Sequence, residues 1–162
     1  MRDIVQEPHP VLRQVAATVA PDTITSVEIQ EIIRDMNKAL EREDDGVAIA
    51  APQIGVPLRI FIVSKKGSKQ FSENTAFINP EIIRLGKLKE GMSEGCLSVR
   101  WKYGTVRRST TATVRALSAE GNEFVVSGRG LLAQIFQHET DHLNGTLFID
   151  KARDIEDLPP QN

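Results

Sequence analysis

One cysteine among 162 residues leaves no partner for an internal disulfide, and a lone thiol suits a reducing compartment. Neither charge is in excess. A formal net charge of −2 and a pI near 5.9 argue against an electrostatic hold on nucleic acid or an anionic membrane, so neither is expected as a partner. No apolar run approaches the ~20 residues of a membrane-spanning helix. Arg2, Asp3, Glu7 and Arg13 interrupt the amino-terminal stretch, so a signal peptide is not expected either. The glycine- and alanine-rich stretch 46–55 is followed by no Lys-Ser/Thr, and no G-x-G-x-x-G occurs, which excludes a phosphate loop. Repeats and low-complexity linkers are missing too. What is there is an ordinary globular balance, 40% hydrophobic and 26% charged, in a length that suits one domain over 1–162. A cytoplasmic protein is expected.

Taken in order, residues 1–22 (with Pro8, Pro10 and Pro21) suggest an extended arm with an apolar turn at Val11-Leu12, and His9 reads as a surface residue. Ile29, Ile32, Ile33, Met36 and Leu40 make the apolar stripe of a helix over about 25–43, with Thr25 and Glu28 at capping-box spacing. Leu58–Val63 reads as a strand, 65–74 as a polar loop, and 76–83 as strand interrupted at Pro80. Thr110–Leu117 and Glu123–Val126 read as a hairpin around 118–121. A last helix fills 130–145, stopped by Gly145, and 151–162 reads as a short polar tail.

The chemistry is concentrated on that last helix. Leu131, Ile135, His138 and His142 step by 4, 3 and 4, which puts them on one face expected to point inward. His138, Glu139 and His142 form H-E-x-x-H: two imidazoles able to share a metal, and a carboxylate able to move protons. The same spacing also suits two hydrogen-bonded core histidines. Catalytic metal sites usually present three protein ligands. His9 lies in the distant arm, position 148 is Phe where one protease group would have its third histidine, and Glu156 sits in the tail. Cys96, a soft thiolate donor beside the small Gly95, is the candidate that remains.

Three stretches then carry a family resemblance. Gly46-Val-Ala-Ile-Ala-Ala-Pro-Gln53 matches the first signature of the peptide deformylases with one departure. Glu94-Gly-Cys-Leu-Ser98 and Gln137-His-Glu-Thr-Asp-His-Leu-Asn-Gly145 match the second and third fully. The chain resembles that family over nearly its whole length. The resemblance implies an α+β fold, with antiparallel or mixed sheets packed around a central metal-binding helix. It implies that Cys96, His138 and His142 hold one divalent metal, natively Fe(II), with Zn, Ni or Co able to occupy the same place. Glu139 would move the proton, and the Leu97 N–H and Gln53 amide would receive the oxyanion. The substrate would be an N-formylmethionyl nascent peptide, cradled by Gly46, Val47, Ala48 and Gly95. Val47, Leu131, Ile135 and His138 would line the methionine pocket, with Gln134 at its border or on the surface. Glu94, Asp141 and Arg108 would orient the ligands or form a structural ion pair.

Departures are informative too. Ala48 stands where the family has its second glycine; a positive φ there would add strain, whereas an extended backbone would only narrow the cleft. Arg100-Trp101 replaces the family's Pro-Gly, and Tyr103 stands near a usual arginine, so Arg100, Trp101 and Tyr103 are expected to alter the rim met by later substrate residues. The tail lacks the long helix by which some relatives dock on the ribosome, which makes docking by that route doubtful. Two other functions fit the same residues: a zinc peptidase of the H-E-x-x-H type, and a formyl-peptide binder without turnover.

Overall fold

The computed structural model describes residues 1–161. Eight strands and two helices run in the order α1 (Val27–Glu41), β1 (Ala48–Ala50), β2 (Ile60–Val63), β3 (Thr75–Leu85), β4 (Lys89–Cys96), β5 (Val99–Ser109), β6 (Thr111–Leu117), β7 (Glu123–Arg129), α2 (Leu131–Leu143), β8 (Arg153–Asp157). They form a five-stranded sheet of order β1-β2-β3-β6-β7 and a three-stranded sheet of order β4-β5-β8. Every strand pair in both is antiparallel.

β2 shows why the larger sheet has a helix on each face. Successive strand side chains point to opposite sides, and all four of its residues are buried. Ile60 and Ile62 join Ile29, Ile32, Ile33, Met36 and Leu40 of α1. Phe61 and Val63 join Leu132, Ile135 and Phe136 of α2. Phe77 stacks on Phe61 at 4.8 Å and meets Phe136 edge-on at 5.4 Å. Removing a fully buried ring of this kind typically costs about 3–5 kcal/mol. α2 also reaches the smaller sheet: the Gln137 amide accepts from Ser109 N at 3.0 Å and donates to Ser109 O at 2.9 Å. A third apolar cluster, built from Val11, Leu12, Val99, Val106, Leu147 and Phe148, anchors the amino-terminal arm to the smaller sheet.

The boundaries depart from expectation in physically readable ways. α1 is capped by Ser26, whose hydroxyl accepts from Ile29 N at 3.3 Å, not by Thr25. β3 runs through Pro80, because the ladder to β6 shifts register between Ile78 and Glu81 and no bond is asked of the missing N–H. Within the expected polar tail, Arg153–Asp157 forms an exposed edge strand on β5. Leu131, expected to face inward, is 48% exposed because α2 begins there. Gly145 does end α2. Its φ is +76°, and a Cβ there would lie 2.5 Å from the Arg13 carbonyl oxygen. Among the described residues no helix is long and apolar enough to cross a membrane.

Candidate active site

The β4–β5 hairpin delivers Cys96 to α2. Pairing runs evenly from Lys89↔Ser109 to Gly95↔Tyr103 and then jumps to Cys96↔Val99, so residues 100–102 bulge out of the ladder. Bulges re-aim side chains and recur beside functional sites. Here Cys96 turns inward: its Sγ lies 3.2 Å from His142 Nε2. One ligand atom each from Cys96, His138 and His142 fall within 4.8 Å of one another. The two imidazoles, one turn apart on α2, cross at 69° with centroids 4.9 Å apart.

Behind His138 lies a buried charged lattice. His138 Nδ1 is 2.7 Å from Glu94 Oε2. Arg108 donates to both oxygens of that carboxylate, at 3.1 and 2.7 Å, and to Asp141 at 2.7 Å. Lys151 completes it with bonds to Asp141 of 3.0 and 3.1 Å. Burial pushes the Glu94 carboxyl up, but the hydrogen bonds from His138 and Arg108 outweigh it and hold the group down at about 2. Glu94 is therefore an anion that can only accept, which assigns the proton on His138 to Nδ1 and turns Nε2 toward Cys96 and His142. Burial, reinforced by the nearby His138, keeps His142 well below the usual histidine range and so neutral. Burial, helped by the nearby carboxylates of Glu94 and Asp141, pushes the Glu139 carboxyl up to about 7, against the pull of His138 and Arg108.

These residues fit a metal. Two imidazoles and a thiol present their donors to one point, with the carboxylate of Glu94 raising the basicity of the first. Glu139 Oε2 and His142 Nδ1 are buried with no hydrogen-bond partner among the described residues. Glu139 Oε1 lies 3.9 Å from His138 Nε2, beside the cluster and not within it.

Gln53 faces the cluster from the far wall. Its Oε1 accepts from Ala50 N at 2.9 Å, which leaves Nε2 to point at Ser98 Oγ (3.1 Å) and Cys96 Sγ (3.6 Å). The amino-terminal arm braces this wall: Val5 N donates to Gln53 O, and Glu7 N to Ser98 O, each at 2.8 Å. Gln6 donates to Leu97 O at 2.8 Å and accepts from Arg100 N at 3.3 Å. Neither Ser98 nor Gln6 carries a sequence signal for these parts; both were missed.

A cleft of about 330 Å³ opens over the cluster. Gly46, Val47, Ala48, Gln53, Glu94, Gly95, Cys96, Leu97, Leu131, Ile135, His138 and Glu139 all line it, as do Gln134, Arg100, Trp101 and Tyr103. His142, Asp141 and Arg108 sit behind the lining. Leu131, although exposed on the helix, forms part of this mouth. Ala48 lies in β1 with no positive φ, so the narrowing alternative holds and the strained one does not. Gly95 leaves room for Tyr103: a Cβ there would stand 2.7 Å from its ring. Gln134 is tied down, donating to Ser93 O at 2.8 Å and Glu94 Oε1 at 3.2 Å.

Comparison with known proteins points to one family. The family model for polypeptide deformylase matches residues 1–157. A peptide deformylase of Thermomicrobium roseum is 40% identical over 164 aligned residues, covering 98% of this chain and 89% of that protein. One of Rhizobium meliloti is 40% identical, with 93% and 84% covered. Among solved structures, a peptide deformylase from Legionella pneumophila superposes with a TM-score of 0.86 at 40% identity, covering 95% of this chain and 87% of that one. The Synechococcus elongatus enzyme in complex with actinonin gives 0.84 at 33% identity, with 94% and 79% covered.

Proposed function

The chain belongs to the polypeptide deformylase family and removes the formyl group from amino-terminal formylmethionine; on that premise we propose which of its residues carry the reaction. Cys96, His138 and His142 hold one divalent cation. A thiolate with two imidazoles suits Fe(II), which we take as the native ion, and equally Zn, Ni or Co. When bound, such an ion acidifies water and polarises the formyl carbonyl. The observation that carries the assignment is the convergence of the three donor atoms within 4.8 Å, with the Glu139 carboxylate beside them.

The remaining steps belong to the chain itself. Glu139 takes the proton of the attacking water and delivers it to the departing amine nitrogen. Its burial, with the charges of Glu94 and Asp141, lifts its pKa to about 7 and gives a group that can both accept and return a proton near neutrality. The Gln53 Nε2–H and the Leu97 N–H donate to the oxyanion that forms as the formyl carbon becomes tetrahedral. Gln53 is pre-aimed by Ala50 N and Ser98, so it need not reorganise during the reaction. Gly46, Val47 and Ala48 on one side and Gly95 on the other offer backbone to an extended peptide. Val47, Leu131 and Ile135 enclose its methionine. Glu94, steadied by Arg108 and Asp141, fixes the tautomer and direction of His138. The products are formate and a peptide with a free amino-terminal methionine.

The unbroken match to 1–157 supports one catalytic domain, and the unprotected thiol at its centre suits a cytoplasm-like compartment. Family membership displaces the zinc-peptidase reading, and the presence of Glu139, Gln53 and all three donors counts against a turnover-free binder. The test is an assay of Fe(II)- or Ni-loaded protein on formylated and unformylated forms of one methionyl peptide. Formate release from the first without cleavage of the second is expected; peptide-bond cleavage would return the peptidase reading.

A further inference from the structure

One side chain ties the two walls of the cleft together at its mouth. Arg100, on the bulge of β5, donates Nη1 to Asp45 Oδ2 at 2.9 Å and Nη2 to Asp45 Oδ1 at 3.3 Å, and its Nη2 also donates to Glu43. Glu43 and Asp45 lie in the turn between α1 and β1, the opposite wall. The planar guanidinium matches such paired carboxylates fork to fork. Its carbon lies 4.7 Å from the ring centroid of Trp101, so the tie also holds an indole in place.

Trp101 is conformationally costly where it stands. Its φ is +68°, in the left-handed region that a bulky side chain rarely enters. The family's glycine at this position would adopt it freely. The side chain is not withdrawn into the core in return: Trp101 stays 37% exposed and lines the cleft. Strain of this sort persists where the surroundings over-determine it, and it gathers at ligand-binding positions.

We propose that Trp101 is a specificity-determining platform for the side chains that follow formylmethionine, with Arg100 as its positioning residue. The inference rests on the deformylase reading above. An extended peptide leaving Gly95 and the 46–48 stretch advances about 3.3 Å per residue, so its next residues pass the rim formed by Arg100 and Trp101. The indole face takes apolar and aromatic side chains. Acidic ones find no free cation at the rim among the described residues, because Arg100 is already held by Glu43 and Asp45, and neighbouring Lys102 by Asp157 at 2.8 Å.

The test is turnover of the metal-loaded protein on formyl-Met-Ala-X and formyl-Met-X-Ala, with X as Phe, Leu, Ala or Asp. Each protein is judged by its own Phe-to-Asp ratio of kcat/KM, which cancels differences in metal loading and folding. A ratio of about five- to tenfold is expected in one or both series. Trp101→Gly should bring it near unity while melting no lower than the parent, since glycine relieves the φ. Trp101→Phe should keep most of it, and Arg100→Ala should lower it with the indole still present. Trp101 is the sole tryptophan, so its emission gives a second readout. Titration with the product Met-Ala-Phe should shift or quench it, and methionine amide should not. A flat parental ratio, an unchanged ratio in Trp101→Gly, or emission indifferent to the tripeptide would each overturn the proposal. Absence of formate from every formyl peptide would overturn the deformylase reading and this inference with it.

Discussion

Glu94 Oε2 stands 2.7 Å from His138 Nδ1, and this contact links the charged interior to the donor cluster. The carboxylate is 4% exposed and Arg108 only 3%, so neither can turn to solvent for a substitute partner. Glu94→Gln keeps the volume, weakens the bond to Nδ1 and sets an amide against the Arg108 donors. Metal affinity should fall by about 10–100-fold, as for other lost partners of a ligating histidine. Metal loss to a chelator, followed in both proteins, checks it; an unchanged rate would reduce the lattice to a structural ion pair.

Gln53 is assigned to the oxyanion and not to the metal, and the two roles separate in one variant. Gln53→Ala should lower kcat by about 10²–10³-fold while metal content stays at the parental level. Loss of metal in step with activity would contradict the assignment.

Much of the site was legible because its residues sit in short contiguous motifs. The i, i+4 spacing of His138 and His142 survives folding unchanged, since a helix converts spacing directly into a shared face. The junction of Cys96 to that face is long-range; periodicity gives no sign of it, and Cys96 emerged by elimination of the other donors before the resemblance implied the same set. Residues 89–109 were not read as a hairpin because β4 has little apolar alternation; most of its residues are exposed or half-buried, and what they bury is charged Glu94. Arg153–Asp157 escaped for a related reason: all five residues are exposed, so nothing but backbone pairing to β5 makes them a strand. The brace from Gln6 to Leu97 and Arg100 spans more than ninety positions and leaves no local trace.

Gly145 tests the helix stop. In Gly145→Ala the methyl must enter a left-handed conformation and lies against the backbone oxygen of Arg13, which no rotamer change can clear. A loss of more than about 2 kcal/mol is expected, or a melting temperature lower by roughly 5 °C. A melt within about 1 °C of the parent would show that the chain relaxes there more freely than the geometry implies.

Asp150 supplies the pH dependence. A hydrogen bond from Arg13, at 2.6 Å, holds its carboxyl below the ordinary range. A carboxylate depressed on folding stabilises fully above its unfolded pKa, near ~4, and that contribution fades as pH falls through the lower folded value. The melting gap between parent and Asp150→Asn should therefore be present at neutral pH and close in acid. Both side chains are more than a third exposed, so the gap should be small and shrink in salt. A gap that widens on acidification would have the wrong sign.

The central claim is that Cys96, His138 and His142 hold the metal while Glu139 moves the proton. One measurement addresses it most directly: formate release from a formylmethionyl peptide by parent and Glu139→Gln, with metal content determined on the same samples. The account predicts equal metal in the two, and turnover lower by about 10²–10⁴-fold in the variant. Turnover at the parental rate in Glu139→Gln would contradict it.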